Sequence, residues 1–121
     1  MPPPVLNLST LRRGDKLLGQ RVGFVMTVRE GYEEEYQRRH RQVYPDLLDA
    51  FSRLGIHNYS IYIHGRTLFA TMTVDGDYDK AMSELDRDPA NMKWQSFMKE
   101  LMEPWTDQSI AHIIPEVFFH P

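Results

Sequence analysis

Apolar and polar residues alternate along the first regular segment of the chain. Its apolar positions are Val22, Phe24, Met26 and Val28. A period of two residues is typical of a β-strand, because successive side chains point to opposite faces of a sheet. Residues 57–63 and 67–74 are rich in β-branched and aromatic residues and flank a short turn with a glycine, which predicts a β-hairpin. A last strand is expected over residues 116–119.

A helical pattern covers residues 33–54. Three glutamates open it, at the end where the helix dipole favours negative charge, and Gly55 is a good residue to end it. Pro45 lies inside the pattern, has no backbone N–H and crowds the carbonyl four residues earlier. We therefore expect a kink or a break near Tyr44.

Two further helices are predicted in the second half of the chain. One covers residues 77–86, and the next begins at Asp88-Pro89, where aspartate caps the helix and proline takes its first position. The resulting order is strand, helix, strand, strand, helix, strand. It predicts a ferredoxin-like α+β fold, with an antiparallel sheet and the helices on one face.

The opposite face of the predicted sheet is also largely apolar. Val25, Tyr62 and Phe69 cannot all point towards the helices. An uncovered apolar face predicts a partner, and a second copy packed sheet to sheet would bury it. We therefore expect a homodimer of the dimeric α+β barrel type.

Composition narrows the class of protein. The chain has 121 residues, of which we expect residues 21–121 to form one domain. Residues 1–20 contain three consecutive prolines and are expected to form a flexible N-terminal extension. A net charge of −3 does not support nucleic-acid binding, and no apolar run reaches the ~18 residues of a membrane helix. The absence of cysteine removes disulfides and thiolate chemistry, and with no recognisable secretory signal it fits a cytoplasmic protein.

The candidate chemistry is concentrated in Tyr36 and His40. Residues four apart lie on one face of a helix, and the other residues of this face form the apolar stripe that we expect to be buried. An imidazole can give or take a proton near neutral pH, so the pair is either an unusual part of the core or the start of an active site. The other four histidines show no metal-ligand spacing, so we expect no metal site.

Several separated sequence blocks resemble the L-rhamnose mutarotase family. The resemblance extends over roughly residues 21–121, in register. The blocks are residues 24–26, 35–40, 44–47, 55–62, 68–70 and 116–121.

This resemblance implies interconversion of the α and β anomers of a free monosaccharide without a cofactor. The family's acid/base histidine falls on His40, and its sugar-contacting residues fall on Tyr36, Tyr59 and Trp94.

The sequence also departs from the family pattern. Gln95 stands where the family has a second tryptophan, Tyr44 stands where tryptophan is usual, and the loop at residues 104–109 is altered. Because an amide offers hydrogen bonds where an indole offers stacking surface, we hypothesise that the site accepts a sugar with a more hydroxylated face.

Two alternatives stay open at this point. One is a cofactor-independent monooxygenase or isomerase on the same dimeric barrel, and the other is a non-catalytic sugar binder. Asn58, Gln95 and the tyrosine hydroxyls predict a polar pocket, which suits a polyol better than a flat aromatic substrate.

Overall fold

An antiparallel sheet covered on one face by helices forms the body of the chain. The computed structural model describes residues 12–13, 16–17 and 19–121. Its strands are β1 (Arg12–Arg13), β2 (Lys16–Leu17), β3 (Gln20–Val28), β4 (Ile56–His64), β5 (Thr67–Val74), β6 (Met102–Glu103) and β7 (His112–Ile114). Its α-helices are α1 (Glu33–Arg39), α2 (Pro45–Arg53), α3 (Tyr78–Arg87) and α4 (Pro89–Met98). Short 3-10 helices cover His40–Gln42 and Lys99–Leu101.

The main sheet has the strand order β4-β5-β3, and both β6 and β7 pair with the free edge of β3. Every pairing in it is antiparallel. The central strand β5 is bonded on both sides, with Ala70 opposite Phe24 on β3 and opposite Ile61 on β4. This order confirms the predicted ferredoxin-like fold.

The predicted position of the last strand is wrong. Residues 116–119 form no strand, and the edge of β3 is instead paired with β6 and β7. The following Pro115 has no backbone N–H to continue the ladder of β7. Beyond it, side chains rather than the backbone hold the terminal segment, because Glu116 forms an ion pair with Arg21 and the Arg21 guanidinium lies 3.1 Å from the Phe119 ring centroid.

The predicted break at Pro45 is confirmed. Val43 and Tyr44 take extended backbone angles, with ψ values of 138° and 128°, between the 3-10 turn and α2. A residue that precedes proline is pushed out of the helical region, and proline itself fits the first position of the next helix.

The predicted start of the next helical segment is also confirmed. The Asp88 side chain accepts hydrogen bonds from the backbone N–H groups of Ala90 and Asn91, and Pro89 takes the first position of α4. These bonds satisfy donors that would otherwise be left open at the helix start. They fix where α4 begins, and so where its later side chains meet the sheet.

A β-bulge sets which side chains of β4 face the helices. Between His57 and Ser60 the register of β4 against β5 shifts by one residue. Asn58 has a φ of 52°, in the left-handed region that asparagine tolerates better than most residues. After the bulge, Tyr59 points towards the helices, and its ring centroid lies 5.4 Å from that of Phe51 in α2.

Two buried clusters fill the space between the sheet and the helices. We call this side of the sheet the inner face. The first cluster contains Val28, Tyr36, Leu47, Leu68, Trp94, Met98, Leu101 and Met102. The second contains Val22, Ile56, Met72, Val74 and Ala81.

The other side, which we call the outer face, keeps large apolar side chains exposed. Phe69 lies between Val25 and Tyr62 across the paired strands. Tyr62 is 64% exposed and Phe69 is 45% exposed. The prediction that some apolar residues of the sheet point away from the helices is therefore confirmed.

The N-terminal segment is described only in part. Strands β1 and β2 pair as a short antiparallel hairpin, and Gln20 already belongs to β3. Residues 1–11, 14–15 and 18 lie outside the described residues, so the flexible extension stays a prediction. Within the part of the chain that the structure describes, no helix is long and apolar enough to span a membrane.

Candidate active site

A cavity of about 490 Å³ opens between the inner face and the helices α1, α2 and α4. This volume lies in the ordinary range for small-molecule sites. One side of the cavity is apolar, with walls from α2 and the residue pair before it, β4 and β5. Its apolar residues include Val43, Leu47, Phe51, Ile61, Ile63 and Leu68.

All four site residues predicted from the sequence line this cavity. Tyr36 comes from α1, His40 from the 3-10 turn that follows it, Tyr59 from β4 and Trp94 from α4. Four separate elements thus bring the predicted chemistry to one place.

A hydrogen bond to a backbone carbonyl defines the tautomer of neutral His40. Its Nδ1 lies 2.9 Å from the backbone oxygen of Tyr36. Because a carbonyl oxygen can only accept, Nδ1 carries the proton and Nε2 keeps the lone pair. Nε2 has no hydrogen-bond partner among residues 19–121. The geometry therefore leaves Nε2 as the nitrogen that is free to accept a proton.

Aromatic rings hold the imidazole on two sides. The ring centroid of His40 lies 4.3 Å from that of Tyr36 and 5.2 Å from that of Trp94, the latter edge to face. Burial lowers the pKa of His40 below its ordinary value, and the hydrogen bond to the Tyr36 carbonyl only partly opposes this effect. The imidazole is consequently neutral at neutral pH and can act as a base.

The two tyrosines of the cavity keep their protons. Burial raises the pKa of Tyr59 to about 12. Burial also raises the pKa of Tyr36, and the proximity of Tyr59 adds to that shift. Both phenols are therefore hydrogen-bond donors, as well as acceptors, at neutral pH.

Trp94 forms part of both the core and the cavity wall. It is only 7% exposed, and Tyr44 meets it edge to face at 5.1 Å between ring centroids. Most of its indole surface is thus used in packing, and only a small part faces the cavity.

The sequence interpretation missed two polar residues of the cavity, Gln37 and Arg41. They lie three residues before and one residue after His40. Helical spacing places Gln37, His40 and Arg41 along one side of this segment, which was the available signal.

Two residues expected in the pocket lie elsewhere. Gln95 is exposed, and its side chain donates to Asn91 within α4. Asn58 is exposed at the bulge and lines a separate cavity of about 460 Å³ beside Arg21. The hypothesis that the Gln95 amide binds a more hydroxylated sugar therefore has no support from its position.

Comparison with known proteins identifies the family. Residues 21–120 match the sequence model described as L-rhamnose mutarotase. The chain belongs to the L-rhamnose mutarotase family. An L-rhamnose mutarotase from Ligilactobacillus salivarius is 38% identical over 105 residues, which are 81% of this chain and 94% of that protein. Another from Oceanobacillus iheyensis is 32% identical over 102 residues, which are 82% and 96% of the two chains.

Solved structures agree with this membership. The crystal structure of an L-rhamnose mutarotase from Formosa agariphila matches with a TM-score of 0.71 and 31% identity, and covers 84% of this chain and 99% of that one. Tetracenomycin F2 cyclase from Streptomyces glaucescens matches with a TM-score of 0.60 but only 10% identity, over 84% and 98% of the two chains. The second likeness shows the mutarotase fold in a more distant protein and concerns the fold alone.

We expect His40 to titrate below about 6.5, the ordinary value for histidine. Burial disfavours its charged form, so the folded chain gives up the proton at a higher acidity than the unfolded chain does. Histidine ring signals followed by NMR across pH would measure this pKa, with His40→Gln used to assign the resonance. A pKa at or above 6.5 would contradict the expectation.

The lowered pKa of His40 also makes the free energy of unfolding depend on pH. Below about pH 6.5 the unfolded chain binds a proton that folded His40 resists, so the free energy of unfolding falls as the pH drops. His40→Gln should remove this part of the decline in urea unfolding compared at about pH 5 and about pH 7.

Proposed function

We propose that this protein is a sugar mutarotase that interconverts the α and β anomers of L-rhamnose. Family membership makes it an isomerase that acts on carbohydrates. The observation that carries the chemistry is the neutral imidazole of His40, whose Nε2 is free of protein partners among residues 19–121 and lies at a cavity beside two protonated tyrosines.

The reaction needs a proton moved between two oxygens of the sugar. In the proposal, Nε2 of His40 takes the proton from the anomeric hydroxyl while the bond between the anomeric carbon and the ring oxygen breaks. The ring oxygen then takes that proton from the imidazolium, which leaves an open-chain aldehyde. Because both oxygens are bonded to the anomeric carbon, one imidazole can serve both. After the aldehyde rotates, the reverse steps close the ring on its other face.

Tyr36 and Tyr59 supply hydrogen bonds in this proposal. Their phenols remain protonated, so each can donate to a sugar oxygen that gains negative charge as the ring opens. The Tyr36 ring lies against the imidazole. We therefore assign the Tyr36 hydroxyl as the donor to the ring oxygen of the sugar. Trp94 offers its small exposed surface to the sugar and packs against the imidazole on the other side.

The apolar side of the cavity supports L-rhamnose as the substrate. L-rhamnose carries a methyl group where most hexoses carry a hydroxymethyl group. The aliphatic residues of α2, β4 and β5 form a wall that suits a methyl group and offers no hydrogen bond to a hydroxyl. The likeness to the cyclase concerns the fold alone, so we do not propose the other enzyme class.

The proposal extends to a homodimer packed through the outer face. Val25, Tyr62 and Phe69 form an adjoining apolar surface there, and Ile114 on β7 is a further exposed residue at 38%. A second copy is a fitting occupant, because the face is a sheet and two copies would bury the same residues against each other.

We also propose a cytoplasmic location, for which the cysteine-free composition is the support.

His40→Ala should lower kcat/KM for L-rhamnose anomerisation by about 10²–10⁴-fold, the usual contribution of a general acid/base. Exchange between the anomeric proton signals, measured by saturation-transfer NMR, reports the rate. His64→Ala is the matched control, since His64 is exposed at the end of β4 and does not line the cavity. A wild-type rate equal to the spontaneous rate would instead favour a sugar binder.

L-rhamnose should react with a kcat/KM about 10–100-fold above that of L-mannose, which differs by a hydroxyl on the terminal carbon. Burying that hydroxyl without a partner against the apolar wall costs roughly 1–3 kcal/mol. Both rates are measured by the same NMR exchange, after the spontaneous rate of each sugar is subtracted. Equal values for the two sugars would contradict the assignment of the wall to the methyl group.

Phe69→Glu should convert a dimer to a monomer in sedimentation velocity, because a charge would then be buried at the centre of the outer face. Met92→Glu is the control, as Met92 is 57% exposed on α4, away from the sheet. A wild-type monomer, or a dimer that persists in Phe69→Glu, would overturn the proposed interface.

A further inference from the structure

Arg39 ties the end of α1 to α4 immediately before His40. Its Nε donates to Glu35 and its Nη2 to Glu100, each at 2.8 Å. Its Nη1 donates to the backbone oxygen of Phe97. Only 11% of the Arg39 side chain is exposed. We call Arg39, Glu35, Phe97 and Glu100 the Arg39 cluster.

The guanidinium also lies over an aromatic ring that links it to the candidate site. The Arg39 Cζ is 4.1 Å from the ring centroid of Phe97, a cation–π contact. The ring of Phe97 lies 5.9 Å from that of Trp94, and Trp94 meets His40 edge to face. A continuous set of contacts therefore runs from Arg39 across α4 and back to the imidazole.

The neighbouring arginine provides a natural comparison. Arg38 also bonds Glu35, but its side chain is 64% exposed and its only hydrogen-bond partner among the described residues lies within α1. The two arginines thus share a carboxylate and differ in whether they reach α4.

We propose that Arg39 is a positioning residue for His40, which holds the imidazole at a fixed distance from Trp94 and keeps its Nδ1 bonded to the Tyr36 carbonyl. The proposal rests on the proposed function, because it assigns Arg39 a role through the acid/base histidine. The backbone of α1 ends at Arg39, so a guanidinium anchored on α4 fixes the exit of the chain into the 3-10 turn that carries His40.

Glu35 keeps its negative charge near neutral pH. Hydrogen bonds from Arg38 and then Arg39 lower the pKa of Glu35 to about 2. Glu35 therefore remains a carboxylate throughout, and a change of pH near neutrality acts on the imidazole rather than on its anchor.

The test compares Arg39→Gln with Arg38→Gln, which each remove one guanidinium from Glu35. Arg39→Gln should lower kcat for L-rhamnose by about 10–100-fold, as expected for a reacting group displaced by up to 1 Å, with a much smaller change in KM. It should also change the histidine side-chain ¹H–¹⁵N correlations of His40 from one tautomer to a mixture. Arg38→Gln should leave kcat and these correlations unchanged.

The conservative variant separates positioning from charge. Arg39→Lys keeps a cation over Phe97, but its single nitrogen cannot reach the three oxygens that Arg39 contacts through Nε, Nη1 and Nη2, so it should restore the urea midpoint more fully than kcat. If Arg39→Gln does not fold, Phe97→Leu replaces it, since that change removes the ring between the guanidinium and Trp94 and leaves the ion pairs. It should shift kcat and the His40 correlations in the same direction.

Two results would overturn the proposal. One is a lower urea midpoint in Arg39→Gln with unchanged kcat and an unchanged His40 tautomer, which would make the cluster merely structural. The other is an equal loss in Arg38→Gln. If the wild-type protein does not anomerise L-rhamnose, the proposed function fails by that result alone, while the His40 correlations still test whether Arg39 fixes the imidazole.

Discussion

Pro45 imposes the constraint on which the arrangement of the site depends. A single straight helix over residues 33–54 would carry His40 and Leu47 along one continuous stripe. Proline is disfavoured inside a helix, so the chain leaves the helical region at Val43 and Tyr44 and starts α2 as a separate helix at Pro45. The space between the two helices and the sheet becomes the cavity. Tyr44, turned out of the helix, packs against Trp94 instead of continuing the stripe.

Helices and strands could be predicted from the sequence where residues within or next to the element determine where it begins or ends. The helix break follows from one proline, the start of α4 from the Asp88 cap, and the hairpin from β-branched and aromatic residues on both sides of a short glycine turn. The last strand failed because edge pairing is a long-range choice. Residues 116–119 have a strand-like pattern, yet β3 pairs with residues further back in the chain, and no local pattern specifies that register.

The candidate site also has features that the sequence predicts and features that depend on the folded chain. Tyr36 and His40 could be found from spacing alone, and the family resemblance added Tyr59 and Trp94, which all line one cavity. Residue type did not predict orientation for Gln95, whose helix turns it to solvent. The tautomer and the lowered pKa of His40 were also beyond the sequence, because they depend on a backbone carbonyl and on burial that only the folded chain provides.

The β-bulge at Asn58 lets β4 hold one residue more than a regular strand without moving its site residue. Asn58 and Tyr59 together lie opposite the single position of Met72, between the pairs His57–Thr73 and Ser60–Thr71. Removing Asn58 would give a regular ladder in which Tyr59, opposite the buried Met72, still faces the helices. A change of length by one residue at this point can therefore be tolerated during evolution, because the flanking pairs keep their register and the phenol stays at the cavity.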